Sequence, residues 1–119
     1  MNPADLFHLQ DDAIILAPGD VLFKTGEKGD AMFVLLEGTV DIMVGGKVVE
    51  KSQRGAIIGE MALIDQSPRG ATAVASSPAR LAKVDQRRFH FLIQQNPFFA
   101  THVMKELCDR IRHMNEMQR

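Results

Sequence analysis

Residues 57–72 read Ile-Ile-Gly-Glu-Met-Ala-Leu-Ile-Asp-Gln-Ser-Pro-Arg-Gly-Ala-Thr. Their types and spacing suit an anion. An apolar strand end runs into Gly59, and Glu60 to Ile64 are good helix formers with room for one or two turns. Ser67-Pro68 then breaks the helix, and Arg69 follows at once. The first turn of a helix carries backbone N–H groups without partners and partial positive charge. Gly59 lets a phosphate approach the backbone, and Arg69 adds a planar fork of donors. Glu60 is an acceptor. Beside a phosphate it is useful where the ligand also offers a hydroxyl donor, as a ribose 2′-OH does. Taken singly, a Gly-Glu pair is an ordinary helix start and a Pro-Arg pair an ordinary loop; the combination at this spacing carries the signal.

The rest of the chain must position that segment. Turn residues punctuate the first 85 positions at short intervals: Pro18-Gly19-Asp20, Thr25-Gly26, Lys28-Gly29-Asp30, Glu37-Gly38, Gly45-Gly46, Gly55 and Gly59. Between them lie short β-rich runs at 13–16, 21–24, 31–36, 40–44, 47–51, 56–58, 71–76 and 80–84, the pattern of an antiparallel barrel or sandwich. Gly45-Gly46 suits a two-residue hairpin turn. After Asp85 the period changes. A helix is expected over 86–95, with Phe89, Leu92 and Ile93 on one side. A second is expected over 97–115, where Pro97 suits the first turn and Phe99, Ala100, Val103, Met104, Leu107, Cys108, Ile111 and Met114 recur at three-four spacing. The fold class is mainly β: an antiparallel jelly-roll-like barrel over 11–85 followed by two C-terminal α-helices, all one domain of 119 residues.

Composition narrows the function. The net charge of −1 argues against a general nucleic-acid binder. Residues 1–85 are net acidic and residues 86–119 net basic, so the last helix could meet an anionic ligand or simply present a solvated face. No apolar run approaches a membrane span and no secretory signal is visible at the start; the expected location is cytoplasmic. The single Cys108 reads as a small apolar helix residue. His8, His90, His102 and His113 all lie outside the strand region, so a metal-dependent barrel enzyme lacks its ligands, and no nucleophile triad is visible. Neither a metal nor an enzymatic activity is expected.

The stretch Gly59-Glu60-Met61-Ala62-Leu63-Ile64 followed by Pro68-Arg69-Gly70-Ala71-Thr72 resembles the phosphate-binding cassette of the cyclic-nucleotide-binding family. Residues 18–23 and 29–38 resemble that family's early strands and turn, and the two terminal helices its B and C helices; the bacterial channel domains look nearest. The resemblance implies that Glu60 accepts from the ribose 2′-OH and that Arg69 pairs with the cyclic phosphate. Backbone near Met61, Ala62 and Ala71 would help, and Gly59 would leave room. Arg110 falls where the bacterial channel domains place a C-helix arginine over the purine. It also flanks the apolar face of the helix, as a lid residue would, although a solvated arginine is equally compatible with its spacing. A Thr at position 70 goes with cGMP-selective kinase domains, so Gly70 favours cAMP over cGMP. An acidic relay residue is expected just before Glu37-Gly38, and Leu36 stands there instead.

The expected function is therefore a regulatory sensor that binds a cyclic nucleotide and closes its last helix over it, passing the signal to an effector protein the sequence does not identify. The alternative is the same fold without nucleotide, serving docking or a homodimer through the C-terminal helix. A catabolite-activator-type transcription factor would need a recognition helix after Arg119.

Overall fold

In the computed structural model the turn residues separate eight strands, β1 (Ile14–Leu16), β2 (Val21–Phe23), β3 (Ala31–Glu37), β4 (Val40–Val44), β5 (Lys47–Ser52), β6 (Ile57–Ile58), β7 (Thr72–Ala75) and β8 (Ala79–Asp85). The described residues also form three α-helices: α1 (Glu60–Asp65), α2 (Gln86–Gln95) and α3 (Pro97–Met117). The structure describes residues 2–7 and 12–117; residue 11, the expected start of the barrel, and His8 lie outside them. A short 3-10 turn at Pro3–Phe7, which the sequence pattern did not suggest, precedes β1 and buries Phe7.

The strands form two four-stranded antiparallel sheets, ordered β1-β8-β3-β6 and β2-β7-β4-β5. The jelly-roll-like pattern is as expected, but the strands make two stacked sheets rather than one closed barrel. β3 pairs β8 along one edge and β6 along the other, while its two faces pack against the helices and against the second sheet, so Ala31 to Leu36 are all buried. Met32, Val34 and Leu36 point to a core shared with Phe7, Leu63, Leu92, Phe99 and Val103, under the helices. Phe33 and Leu35 point the other way, to a core between the sheets with Val40, Ile58, Ala73 and Leu81. Period-two alternation thus divides one apolar run between two cores.

The helices are held by identifiable contacts. Asp85 caps α2, its side chain accepting from the Arg88 N–H, which satisfies one of the orphan donors of the first turn. On α3, Phe99 and Val103 are buried and Leu107 packs against the helix-side core. Beyond Arg110 the helix leaves the sandwich: Ile111 and Met114 are each 58% exposed. The apolar face expected to run to Met114 therefore docks only through its first three turns. Cys108 is exposed rather than packed.

Two turns need glycine for different reasons. Gly45 and Gly46 have φ of 59° and 79° and link Val44 to Lys47 in a two-residue hairpin. Gly38 has φ of 83°, and a Cβ there would drive into the Pro78 carbonyl. Gly38→Ala is accordingly expected to cost at least about 2 kcal/mol, combining left-handed strain with a backbone collision. Gly45→Ala, whose Cβ meets nothing, carries the strain alone, about 1 kcal/mol. Urea unfolding of the two variants checks the difference; equal losses would mean that the Pro78 collision is relieved without cost.

Candidate functional site

β6 ends at Ile58 and the chain turns through Gly59, which caps α1 in the left-handed region with φ of 77°. That turn places Glu60 under the helices, completely buried. Burial is the largest influence on its carboxyl and pushes it above the ordinary range; the adjacent Arg110 charge opposes the shift. Arg110 reaches Glu60 from α3: its Nη1 donates to Glu60 Oε1, and its Nη2 donates to the Ile57 carbonyl at 3.0 Å. Glu50 on β5 lies 3.7 Å from the same Nη2. The second carboxylate oxygen, Glu60 Oε2, is buried without a partner.

Ile57 lies on an edge strand, so its N–H and C=O point away from β3. α3 satisfies both, one turn apart. Glu106 Oε2 accepts from the Ile57 N–H at 3.2 Å, and Arg110 takes the carbonyl. Burial pushes the Glu106 carboxyl up to about 7 despite the attraction of Arg110. His102, one turn earlier, sits 3.8 Å from Glu106, too far for a hydrogen bond, and burial holds its imidazole below the usual range.

Arg69 lies on the far side of Gly59. Its backbone is pinned to the loop between β2 and β3: its N–H donates to the Glu27 carbonyl at 2.9 Å, and its carbonyl accepts from Gly26 N–H at 2.7 Å. The side chain turns inward and is only 7% exposed. Nη1 donates to the Gly59 carbonyl at 3.0 Å and Nη2 to the Ala31 carbonyl at 2.8 Å, while Nε is buried without a partner. Burial lowers its pKa from the usual value, and Asp30, Glu27 and Glu60, in that order, oppose the shift; an arginine stays charged under such a pull.

Of the residues expected from sequence, Gly59, Glu60, Arg69 and Arg110 come together. Ala62 is buried on α1 and Ala71 is half-buried, whereas Met61 and Gly70 are exposed. Leu36 faces the helix-side core, away from Arg69, so the carboxylate acting most on Arg69 is Asp30 rather than any side chain at position 36. Sequence reasoning also passed over Phe23, Gly29 and Phe33 around Arg69, and Glu50, His102 and Glu106 around Arg110. The i,i+4 pair Glu106–Arg110 flanking Val103 and Leu107 is a usable signal; Asp30, within Lys28-Gly29-Asp30, reads only as turn punctuation. Among the described residues, no three His, Cys, Asp or Glu side chains converge as a metal site requires, and no helix is long and apolar enough to cross a membrane.

The family profile described as cyclic nucleotide-binding domain matches residues 14–96. The cAMP-dependent protein kinase regulatory subunit of Debaryomyces hansenii is 38% identical over 82 residues, 67% of this chain and 18% of that protein. The cGMP-dependent protein kinase of Toxoplasma gondii is 46% identical over 59 residues, 50% of this chain and 6% of that protein. The cyclic nucleotide-gated potassium channel of Mesorhizobium japonicum is 35% identical over 92 residues, 77% of this chain and 25% of that protein. The chain thus spans a quarter or less of each of these relatives. Among solved structures, the catabolite activator protein of Thermus thermophilus superposes with a TM-score of 0.77 at 25% identity, over 92% of this chain and 59% of that one. With the two-sheet sandwich, the Gly59-Glu60 turn and the inward Arg69 in hand, the match over residues 14–96 settles the family: this chain belongs to the cyclic nucleotide-binding domain family.

Proposed function

We propose that the chain binds a cyclic nucleotide without acting on it chemically, takes cAMP in preference to cGMP, and works as a regulatory sensor module with α3 as its lid. One observation carries this reading. Two buried polar atoms on either side of Gly59, Glu60 Oε2 and Arg69 Nε, have no partner. One is an acceptor and the other a donor. A ribose 2′-OH fits the first and a cyclic phosphate oxygen the second. Such orphaned groups cost stability when left unmade, and a sugar–phosphate ligand supplies both partners. Gly59 leaves the approach open, backbone near Met61, Ala62 and Ala71 lines the phosphate, and Gly70 brings no hydroxyl toward a guanine. Arg110, once released from Glu60, covers the base.

Glu60 and Arg69 are shielded as they stand, Glu60 by Arg110 and Arg69 by its own carbonyl contacts. Binding is therefore coupled to movement of α3, and the ligand favours the rearranged state only by the extra contacts it makes there. The unidentified effector would read the position of α3, whose exposed Ile111 and Met114 also suit a second copy. The same shielding favours a second reading, a scaffold that never takes nucleotide, because Arg110 already neutralises Glu60.

Calorimetric titration with cAMP and cGMP, on protein unfolded and refolded to strip any co-purified nucleotide, separates the two readings. Wild type is expected to bind, cAMP the tighter. Arg69→Ala loses about 10- to 100-fold through its charge-assisted bonds, and Glu60→Gln about tenfold. Arg110→Ala binds more weakly and with less preference between bases. No heat from wild type would leave the scaffold reading.

A lid held by Glu106 also predicts a pH dependence. Folded Glu106 keeps its proton up to about pH 7, whereas the unfolded chain releases it near the ordinary carboxylate value. Between these limits the folded state binds more protons, so this contribution to stability falls as pH rises from about 4.5 to about 7. Glu106→Gln retains an acceptor for the Ile57 N–H and removes the titration. It is expected to be more stable than wild type at pH 8 by up to about 3 kcal/mol, with the gap closing toward pH 4.5. Urea unfolding across that range checks it; a gap independent of pH would remove Glu106 as the titrating group.

A further inference from the structure

Arg69 is enclosed by more than its hydrogen bonds. Its guanidinium carbon sits 4.3 Å from the centroid of the Phe23 ring and 5.6 Å from that of Phe33. The two rings are 6.1 Å apart and inclined at 32°. Phe23 comes from β2 and Phe33 from β3, which belong to different sheets, so the arginine bridges the edge of the sandwich. Gly29 adds a further wall. Its φ is not in the left-handed region, so its backbone does not need glycine, yet a Cβ there would collide with Arg69 Cζ and Nε. A Cβ at Gly59 would collide with Nη1. Ring faces carry partial negative charge and favour a guanidinium where water is excluded. They also hold its plane without using any of its N–H donors.

We propose that Phe23, Phe33 and Gly29 are positioning residues of the phosphate site: the two rings fix the guanidinium of Arg69, and the missing side chain at Gly29 makes room for it, so that the unpartnered Nε is the donor kept for the anion. This rests on the reading of Arg69 as the phosphate ligand. The rings act through their charge distribution as well as their volume. An aliphatic side chain at position 23 fills much of the space but lets the guanidinium tilt, and a tyrosine preserves the ring face.

The test uses the full chain with Phe23→Leu, Phe23→Tyr, Gly29→Ala and Arg69→Ala. The Arg69 Nε–H proton is followed by 15N-edited NMR before nucleotide is added, and cAMP affinity is then titrated. In wild type that proton is shifted by the ring current of Phe23. Phe23→Tyr keeps the shift and binds within about twofold of wild type, whereas Phe23→Leu and Gly29→Ala lose the shift and bind about tenfold more weakly. Wild-type affinity in both Phe23→Leu and Gly29→Ala, or a loss in Phe23→Tyr as large as in Phe23→Leu, overturns the proposal. If Phe23→Leu fails to fold, Gly29→Ala alone decides, since its backbone conformation is open to alanine. Should Arg69→Ala bind as wild type does, the phosphate-ligand reading fails and the proposal falls with it. Loss in Arg69→Ala with none in Phe23→Leu or Gly29→Ala removes only the positioning role.

Discussion

A carboxyl group taken wholly out of water must either keep a proton or have a cation close by, and Glu60 is wholly out of water. Much else in this molecule answers that constraint. The cation comes from Arg110, fifty residues away on α3. For Arg110 to arrive, α3 must cross β6, and it does so with Phe99 and Val103 in the helix-side core. Glu106, one turn before Arg110, then meets the exposed edge of β6 and takes the Ile57 N–H. The sheet edge, which would otherwise offer unpaired backbone groups, is closed by side chains of a helix rather than by another strand. One buried charge thereby ties the position of α3 to the cassette.

The opposite charge is handled differently. Among the described residues no carboxylate lies within salt-bridge distance of Arg69; two carbonyls and two aromatic rings surround it, and Asp30 and Glu27 act at longer range. Its Ala31 partner pairs in register with Asp85, and Asp85 caps α2. Gln86 at the start of α2 donates to the Leu63 carbonyl of α1 at 3.2 Å. The Arg69 side of the cassette is thus joined to α2 through the backbone of β3 and β8, and the Glu60 side to α3 through an ion pair. These are two separate mechanical routes out of one short segment.

Much of this was legible in the residues. Glycines and short β-branched runs place all eight strands to within about two residues, because each turn demands a backbone that few other residues adopt. Three-four spacing locates α3 but not where its docking ends, since periodicity describes one helix and is silent on the extent of the surface beneath it. Glu60 and Arg69 stand out by type. That Arg69 points inward was not legible: its surroundings come from Phe23, Gly29 and Phe33, remote in sequence and brought together only by the stacking of two sheets. Gly29 looked like a turn glycine, and the structure assigns it a different task, which is to leave space.

Arg110 shows how the two halves of the site compete. Here its guanidinium donates to a carboxylate and a carbonyl, and on the proposed reading it would leave both to lie over a purine. A nucleotide that draws Arg110 to its base must therefore compensate Glu60 by other means, and its 2′-hydroxyl can do so only in part, because it is neutral. The exchange replaces a buried ion pair with a hydrogen bond and a stacked cation, so its net free energy is the small difference of large terms. That smallness is what the proposed sensor role needs. A lid held too tightly by Glu60 would not move at cellular ligand levels, and one held too loosely would move without ligand. On the proposed reading, population shift then depends on how much better the rearranged state binds, and Glu60, Glu106 and Arg110 together would set where that balance lies.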